Sequence, residues 1–175
     1  HAGEAPQLPD LGARLVATQG LGHRRILLLD DMPEWPRNGA IGGFRLALAQ
    51  HGLPFHEEDV AFFMRKAHWR PMDPALIGRI VGNYTAVICT YDINALQLLN
   101  HLREHRVSGV SVAGFDGMEE GESEGLTTMR QPIERMIAAT FELLGAPPEQ
   151  VEKRLFTPEL LRRASTFAPE RPPSV

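Results

Sequence analysis

The chain has 175 residues, 43% hydrophobic and 23% charged, a balance that suits one globular domain or one large lobe and excludes a disordered body. Its formal net charge of -4 leaves no electrostatic footprint for nucleic acid, so DNA contact would need a segment outside this chain. The lone cysteine, Cys89, excludes an internal disulfide and a cysteine-built metal site and fits a reducing cytoplasm.

Residues 1–9 are small, polar and proline-containing and read as a linker or cloning remnant. The run Ile26–Leu29 is too short for a helix and is flanked by loop residues, which predicts a buried strand. Ile41, Phe44 and Leu48 then share one face of a helix that begins near Asn38. Val60–Phe63 is a second short apolar run. Asp73 as cap and Pro74 at the first helical position open a helix with Leu76, Ile80 and Val81. Ala86–Thr90 is a third strand, with Cys89 inside it as a small buried hydrophobe. Ala95, Leu96, Leu99 and Leu102 mark the helix after it, and Val110–Gly114 the next strand. Ile133, Met136, Ile137, Thr140, Phe141 and Leu144 keep helical spacing for over two turns, the cleanest amphipathic pattern in the chain. From Thr166 the composition turns proline-rich and charged, and residues 169–175 are expected to form a loose tail. No apolar run approaches the roughly 18 residues of a membrane span, and no signal-peptide pattern is present.

Strand–helix alternation predicts an α/β fold, a three-layer parallel sheet with helices on both faces. Ligands of such sheets bind at the carboxyl ends of strands, where the strand order reverses. The residues just after the apolar runs are Asp30 and Asp31, Tyr91 and Asp92, and Asp116. Carboxylates there can accept hydrogen bonds from a polyol or a base, hold a cation, or cap the following helix.

Six stretches, in order, are similar to those of the LacI/GalR family of transcription regulators, in its periplasmic-binding-protein-like (type I) effector domain. They are Leu21–Ile26 (LGHRRI) after a helix start at Gly12–Leu15, Ile41–Leu48 (IGGFRLAL), Tyr91–Leu96 (YDINAL), Val110–Asp116 (VSVAGFD), Leu126–Pro132 (LTTMRQP) and Pro158–Thr166 (PELLRRAST). The resemblance spans residues 10–168 and implies one lobe of a two-lobed clamshell, with residues 126–144 crossing to the other lobe. It places that other lobe and the DNA-binding segment upstream, outside this chain. With no partner lobe, the face of Ile133, Met136, Ile137, Phe141 and Leu144 is expected to drive dimerisation or aggregation unless it folds back.

The resemblance further implies a small-molecule effector of the sugar class, no cofactor or metal, no catalytic activity, no membrane contact, a homodimer and a cytoplasmic location. Asp116 stands where the family's acid hydrogen-bonds the effector, although an Asp116–Gly117 turn accounts for the same residues. Gln131 matches a hinge glutamine, with helix capping as its rival role. Two positions depart from the family pattern. Ala40 stands where an arginine usually grips the effector, leaving Arg37 as the substitute, and Tyr91 replaces an asparagine. Tyr91 can stack on a ring and also narrows the pocket. Asp92 is kept, as an effector contact or as the cap of the helix through Leu102. Phe63 and Trp69 are weaker candidates for an aromatic wall, with packing as their alternative.

Other readings rank lower. A phosphoacceptor receiver domain needs a lysine after its last strand, and the only lysines, Lys66 and Lys153, follow no core strand end. The acidic stretch Glu119–Glu124 lacks the alternating register of a calcium loop and reads as a solvated loop at the cleft rim. A periplasmic sugar-binding protein and an interaction lobe that has lost its effector remain open as alternatives, the second because of Ala40 and Tyr91.

Overall fold

The computed structural model describes residues 21–31, 39–63, 71–145 and 154–169. The expected linker 1–9, the helix start at Gly12–Leu15, Arg37, Lys66, Trp69, Lys153 and the tail from residue 170 lie outside that range.

Five parallel strands, β1 (Ile26–Asp30), β2 (Val60–Phe62), β3 (Ala86–Cys89), β4 (Ser111–Asp116) and β5 (Thr127–Arg130), share one sheet with β6 (Glu159–Leu161). β6 runs antiparallel to β5, and the order across the sheet is β2-β1-β3-β4-β5-β6. The chain moves outward from β1 to β2 and then crosses back to β3. The switch point therefore falls between the carboxyl ends of β1 and β3, where a crevice opens in folds of this kind.

Strand alternation feeds two cores. Leu27, Leu29, Val87, Cys89 and Val112 point toward α2 (Pro74–Asn83) and α3 (Asp92–Glu104), and meet Ile77, Ile80, Ala95, Leu98 and Leu102. Ile26, Leu28, Ala86, Ile88 and Ala113 point the other way, onto Phe44, Ala47 and Leu48 of α1 (Ala40–Gln50). Both faces of the sheet are covered, so its strands read as unbroken apolar runs rather than alternating ones. Phe63 is part of the first core, not of a cleft wall. No helix among the described residues is long and apolar enough to cross a membrane.

Helix α2 starts as its sequence dictates: Asp73 accepts the Ala75 N–H at 2.9 Å and Pro74 fills the first turn. Its buried face is Ile77 and Ile80, however, and Val81 is 40% exposed, because the 3.6-residue turn carries position 81 away from the sheet. The acidic stretch, expected as a loop, forms a short helix, α4 (Glu119–Ser123), whose glutamates face solvent while Gly121 packs inward.

Two strands escape sequence reading. In β5 the buried run is Thr127, Thr128 and Met129, and its polarity is absorbed by hydroxyl hydrogen bonds. The segment after β6 is a clasp. Ser165 donates its hydroxyl to the Val112 carbonyl at 2.7 Å and accepts the Thr127 N–H at 2.8 Å. Arg163 donates to the Leu126 carbonyl at 2.7 Å, and Thr166 meets Thr127 hydroxyl to hydroxyl at 2.9 Å. The Phe167 carbonyl accepts from the Nε2 of buried His23 at 2.7 Å and from the Ser111 hydroxyl at 3.0 Å. Thr166 and Phe167 are therefore held against the sheet, contrary to composition.

Helix α5 (Ile133–Leu144) is amphipathic as its spacing predicts, yet of its residues only Ala139 is buried. Phe141 is 71% exposed and Leu144 76%, with Ile133, Met136 and Ile137 beside them. The apolar face does not fold back onto the described lobe.

Candidate functional site

Two glycines shape the carboxyl end of β4. A Cβ on Gly114 would lie 2.1 Å from Asp92 Oδ1, so only glycine leaves room for that carboxylate against the strand. A Cβ on Gly117, at φ +78°, would meet Arg130 Cβ at 2.7 Å. Between them Asp116 itself sits at φ +138°, a backbone region that costs a side-chain-bearing residue roughly 1–3 kcal/mol. Strain of that size persists where surrounding contacts fix the residue, and here they do.

Asp92 is the first fixing contact. It is fully buried, and its Oδ2 accepts the N–H groups of Gly117 at 2.9 Å and Met118 at 2.8 Å. Its Oδ1 accepts the Thr128 hydroxyl at 2.6 Å. The expectation that Asp92 caps its own helix is corrected. The N-cap position is Tyr91, no side chain caps there, and the Asp92 side chain turns instead to the β4–α4 turn. The backbone N–H of Asp92 hydrogen-bonds to the Asp116 carboxylate, so the missing cap comes from the neighbouring strand end. With both oxygens engaged inside the protein, Asp92 braces the β4–α4 turn against β5.

Asp116 is half-buried. Burial pushes its carboxyl above the ordinary carboxylate range, the Asp92 N–H pulls it back, the Asp92 charge raises it, and the Gln131 amide lowers it. Gln131 Nε2 stands 3.4 Å from Asp116 Oδ1, which joins the hinge residue to the strand-end acid. No side chain caps α5, so the capping role considered for Gln131 is absent.

Tyr91 is 38% exposed at the end of β3. Its phenol is raised above the usual tyrosine range, first by burial and then by the charges of Asp30, Asp31 and Asp116. Asp30 Oδ1 accepts the Asp31 N–H at 2.8 Å and the Thr90 hydroxyl at 2.9 Å. Tyr91, Asp116 and Gln131 thus stand at the carboxyl ends of the adjoining strands β3, β4 and β5, with Asp30 and Asp31 at the end of β1 beside β3. Sequence reasoning reached these acids through the rule for strand ends. It missed Thr128, Gly114 and the bracing role of Asp92, which become visible only when β5 is set beside β4.

Comparison with known proteins agrees with this fold. Residues 18–166 match the family model described as periplasmic binding protein-like domain. The chain belongs to that family. The HTH-type transcriptional regulator AscG of Escherichia coli (strain K12) is 26% identical over 171 residues, covering 86% of this chain and 47% of AscG. The HTH-type transcriptional regulator Rv3575c of Mycobacterium tuberculosis (strain ATCC 25618 / H37Rv) is 43% identical over 67 residues, 37% of this chain and 19% of that protein. A sugar-binding transcriptional regulator of the LacI family from Escherichia coli, solved in complex with phosphate, superposes with a TM-score of 0.70 at 26% identity. That superposition covers 91% of this chain and 60% of the other. The chain therefore spans less than two thirds of each of these proteins. The resemblance read from the six motifs holds: this is LacI/GalR-type effector-domain sequence on a type I periplasmic-binding-protein fold.

Proposed function

We propose that the chain is the effector-sensing lobe of a LacI-type transcription regulator and binds a small sugar-like molecule at the carboxyl ends of its strands. The observation that supports this reading is that Tyr91, Asp116 and Gln131 end the adjoining strands β3, β4 and β5, with the Gln131 amide hydrogen-bonded to Asp116. Tyr91 supplies a ring face, Asp116 an acceptor for paired hydroxyls, and Gln131 an amide that both donates and accepts. Arg37, outside the described residues, is proposed as a further effector contact, and Asp92 holds the β4–α4 turn in place. The exposed face of α5 is assigned to the second lobe of the clamshell, so that Gln131, just ahead of it, lies at the hinge.

In this mechanism the effector bridges the two lobes and favours one degree of closure. Closure changes the spacing of DNA-binding segments across a homodimer, which makes effector and DNA affinities reciprocal. DNA contact belongs to sequence outside this chain, the regulator works in the cytoplasm, and no catalytic step is assigned to the site. The test is thermal unfolding of the full-length regulator with pentoses, hexoses, their phosphates and nucleobases. A midpoint rise with one compound, lost in Asp116→Ala, is the expected result. A flat response to every compound favours the alternative of an interaction lobe that has lost its effector.

A further inference from the structure

Away from the strand-end site, two metal-ligating side chains stand together at the other end of α3. His101 lies on the last turn of that helix and His105 is its C-cap, so the helical period puts both on one face. Their rings stack, with centroids 4.1 Å apart and planes 21° from parallel. The stretch reads His101-Leu102-Arg103-Glu104-His105. Two histidines four residues apart on a helix is the spacing that lets both imidazoles reach one ion.

The two rings are prepared differently. His105 Nδ1 stands 3.0 Å from the His101 carbonyl, which can only accept, so Nδ1 carries the proton and Nε2 keeps its lone pair for a ligand. A backbone carbonyl behind the far nitrogen is the usual support of a metal-bound histidine. Neither ring nitrogen of His101 has a hydrogen-bond partner among the described residues, so that ring is free to turn toward its neighbour. Nitrogens bound to one ion at about 2.0–2.1 Å each stand no more than about 4 Å apart. The ring spacing is of that order, so side-chain torsion alone can aim both at one centre. The position also favours a cation, because a helix C-terminus presents partial negative charge. Glu104 adds a carboxylate next to the pair in sequence. Arg103, two positions from each histidine, lies on the opposite side of the helix and is paired with Glu124 at 2.6 Å. The chain leaves the helix at Arg106, at φ +53°.

We propose that His101 and His105 form a surface site for a first-row divalent transition metal, Cu²⁺, Ni²⁺ or Zn²⁺, bound through two imidazole nitrogens. Among the described residues no group of three His, Cys, Asp or Glu side chains is placed to hold a metal, so water completes the ion's shell. Imidazole suits these ions, whereas Mg²⁺ and Ca²⁺ want oxygen ligands, and affinity is highest for Cu²⁺. The pair lies about 15 Å along the helix from Tyr91, and the site does not rest on the effector reading.

Titration calorimetry and electron paramagnetic resonance on the full-length regulator, free of any histidine tag and at pH 7.5, test this. The wild type, His101→Ala and His105→Ala are each titrated with CuCl₂, NiCl₂, ZnCl₂, MgCl₂ and CaCl₂, with folding followed by circular dichroism. The wild type is expected to take up one more equivalent of Cu²⁺ per protomer, at micromolar concentration, than either variant. Its copper spectrum is expected to show splitting from two coordinated nitrogens, a count that holds whether or not a variant folds. Removing either ring is expected to weaken binding at the pair at least tenfold. Ni²⁺ and Zn²⁺ follow the same pattern more weakly, and Mg²⁺ and Ca²⁺ give no difference between the three proteins. Equal uptake and affinity of Cu²⁺ in the wild type and both variants overturns the proposal. A loss in only one variant, or a spectrum with a single nitrogen, overturns it as well, since one imidazole then acts alone. Uptake that begins only at millimolar ion has the same consequence.

Discussion

Replacing Asp92 by alanine takes away an acceptor that serves three donors at once: the N–H groups of Gly117 and Met118 and the hydroxyl of Thr128. A hydrogen bond to a charged acceptor contributes about 1.5–3 kcal/mol. The simple sum overshoots, because alanine also relieves the burial of a carboxylate and the freed turn relaxes toward solvent. Breaking a buried charged cluster on one side costs about 3–5 kcal/mol, and the lower end is expected here, about 3 kcal/mol. Asparagine keeps the two backbone bonds and turns an N–H toward Thr128, whose oxygen accepts it, so Asp92→Asn is expected to cost about 1 kcal/mol. Gly114→Ala offers an independent route to the same loss, since its methyl would occupy the space of Asp92 Oδ1. Urea unfolding of the three variants and the wild type at neutral pH gives the differences. A loss below about 0.5 kcal/mol for Asp92→Ala, the range of ordinary surface substitutions, would refute the bracing role.

Further outcomes follow from other buried groups. Burial lowers the His23 imidazole below its ordinary 6.5, against the opposing pull of the Phe167 carbonyl. The unfolded chain therefore takes up a proton first on acidification, so stability is full above about 6.5 and declines as the pH falls below it. Unfolding at pH 7.5 and 5.5 should show that decline in the wild type and a shallower one in His23→Gln; equal slopes would remove His23 as its source. Asn94 is fully buried on α3, and neither amide atom has a partner among the described residues. Asn94→Leu is expected to raise stability by about 1–2 kcal/mol, and a loss in its thermal midpoint would show that the amide has an unrecognised partner. The isolated 175-residue chain should self-associate through α5 in light scattering, and Ile137→Lys with Phe141→Glu should restore a monomer. A wild type that stays monomeric at high concentration would contradict that.

The parallel core was legible because its strands are buried on both faces, so Ile26–Leu29 and Ala86–Cys89 announce themselves as apolar runs. β5 was not, since Thr127 and Thr128 look like surface residues until their hydroxyls are seen bonded to Thr166 and Asp92. The closing motif was recognisable as a string, but its physical reason lies in Ser165 and Phe167 bonding to residues more than fifty positions earlier. At the site, the strand-end rule located Asp30, Tyr91 and Asp116 without any contact information. The division of labour between Asp116 and Asp92 needed the structure. Which carboxylate faces inward depends on the empty side of Gly114, and a single sequence holds no trace of that.

The most direct test is a crystal structure of the full-length regulator with whichever sugar raises its unfolding midpoint. The expected map has sugar hydroxyls within hydrogen-bond distance of the Asp116 carboxylate and the Gln131 amide, with the ring against Tyr91. A sugar bound elsewhere, with Asp116 still joined only to Gln131 and the Asp92 backbone, would contradict the assignment of this strand-end cluster as the effector site.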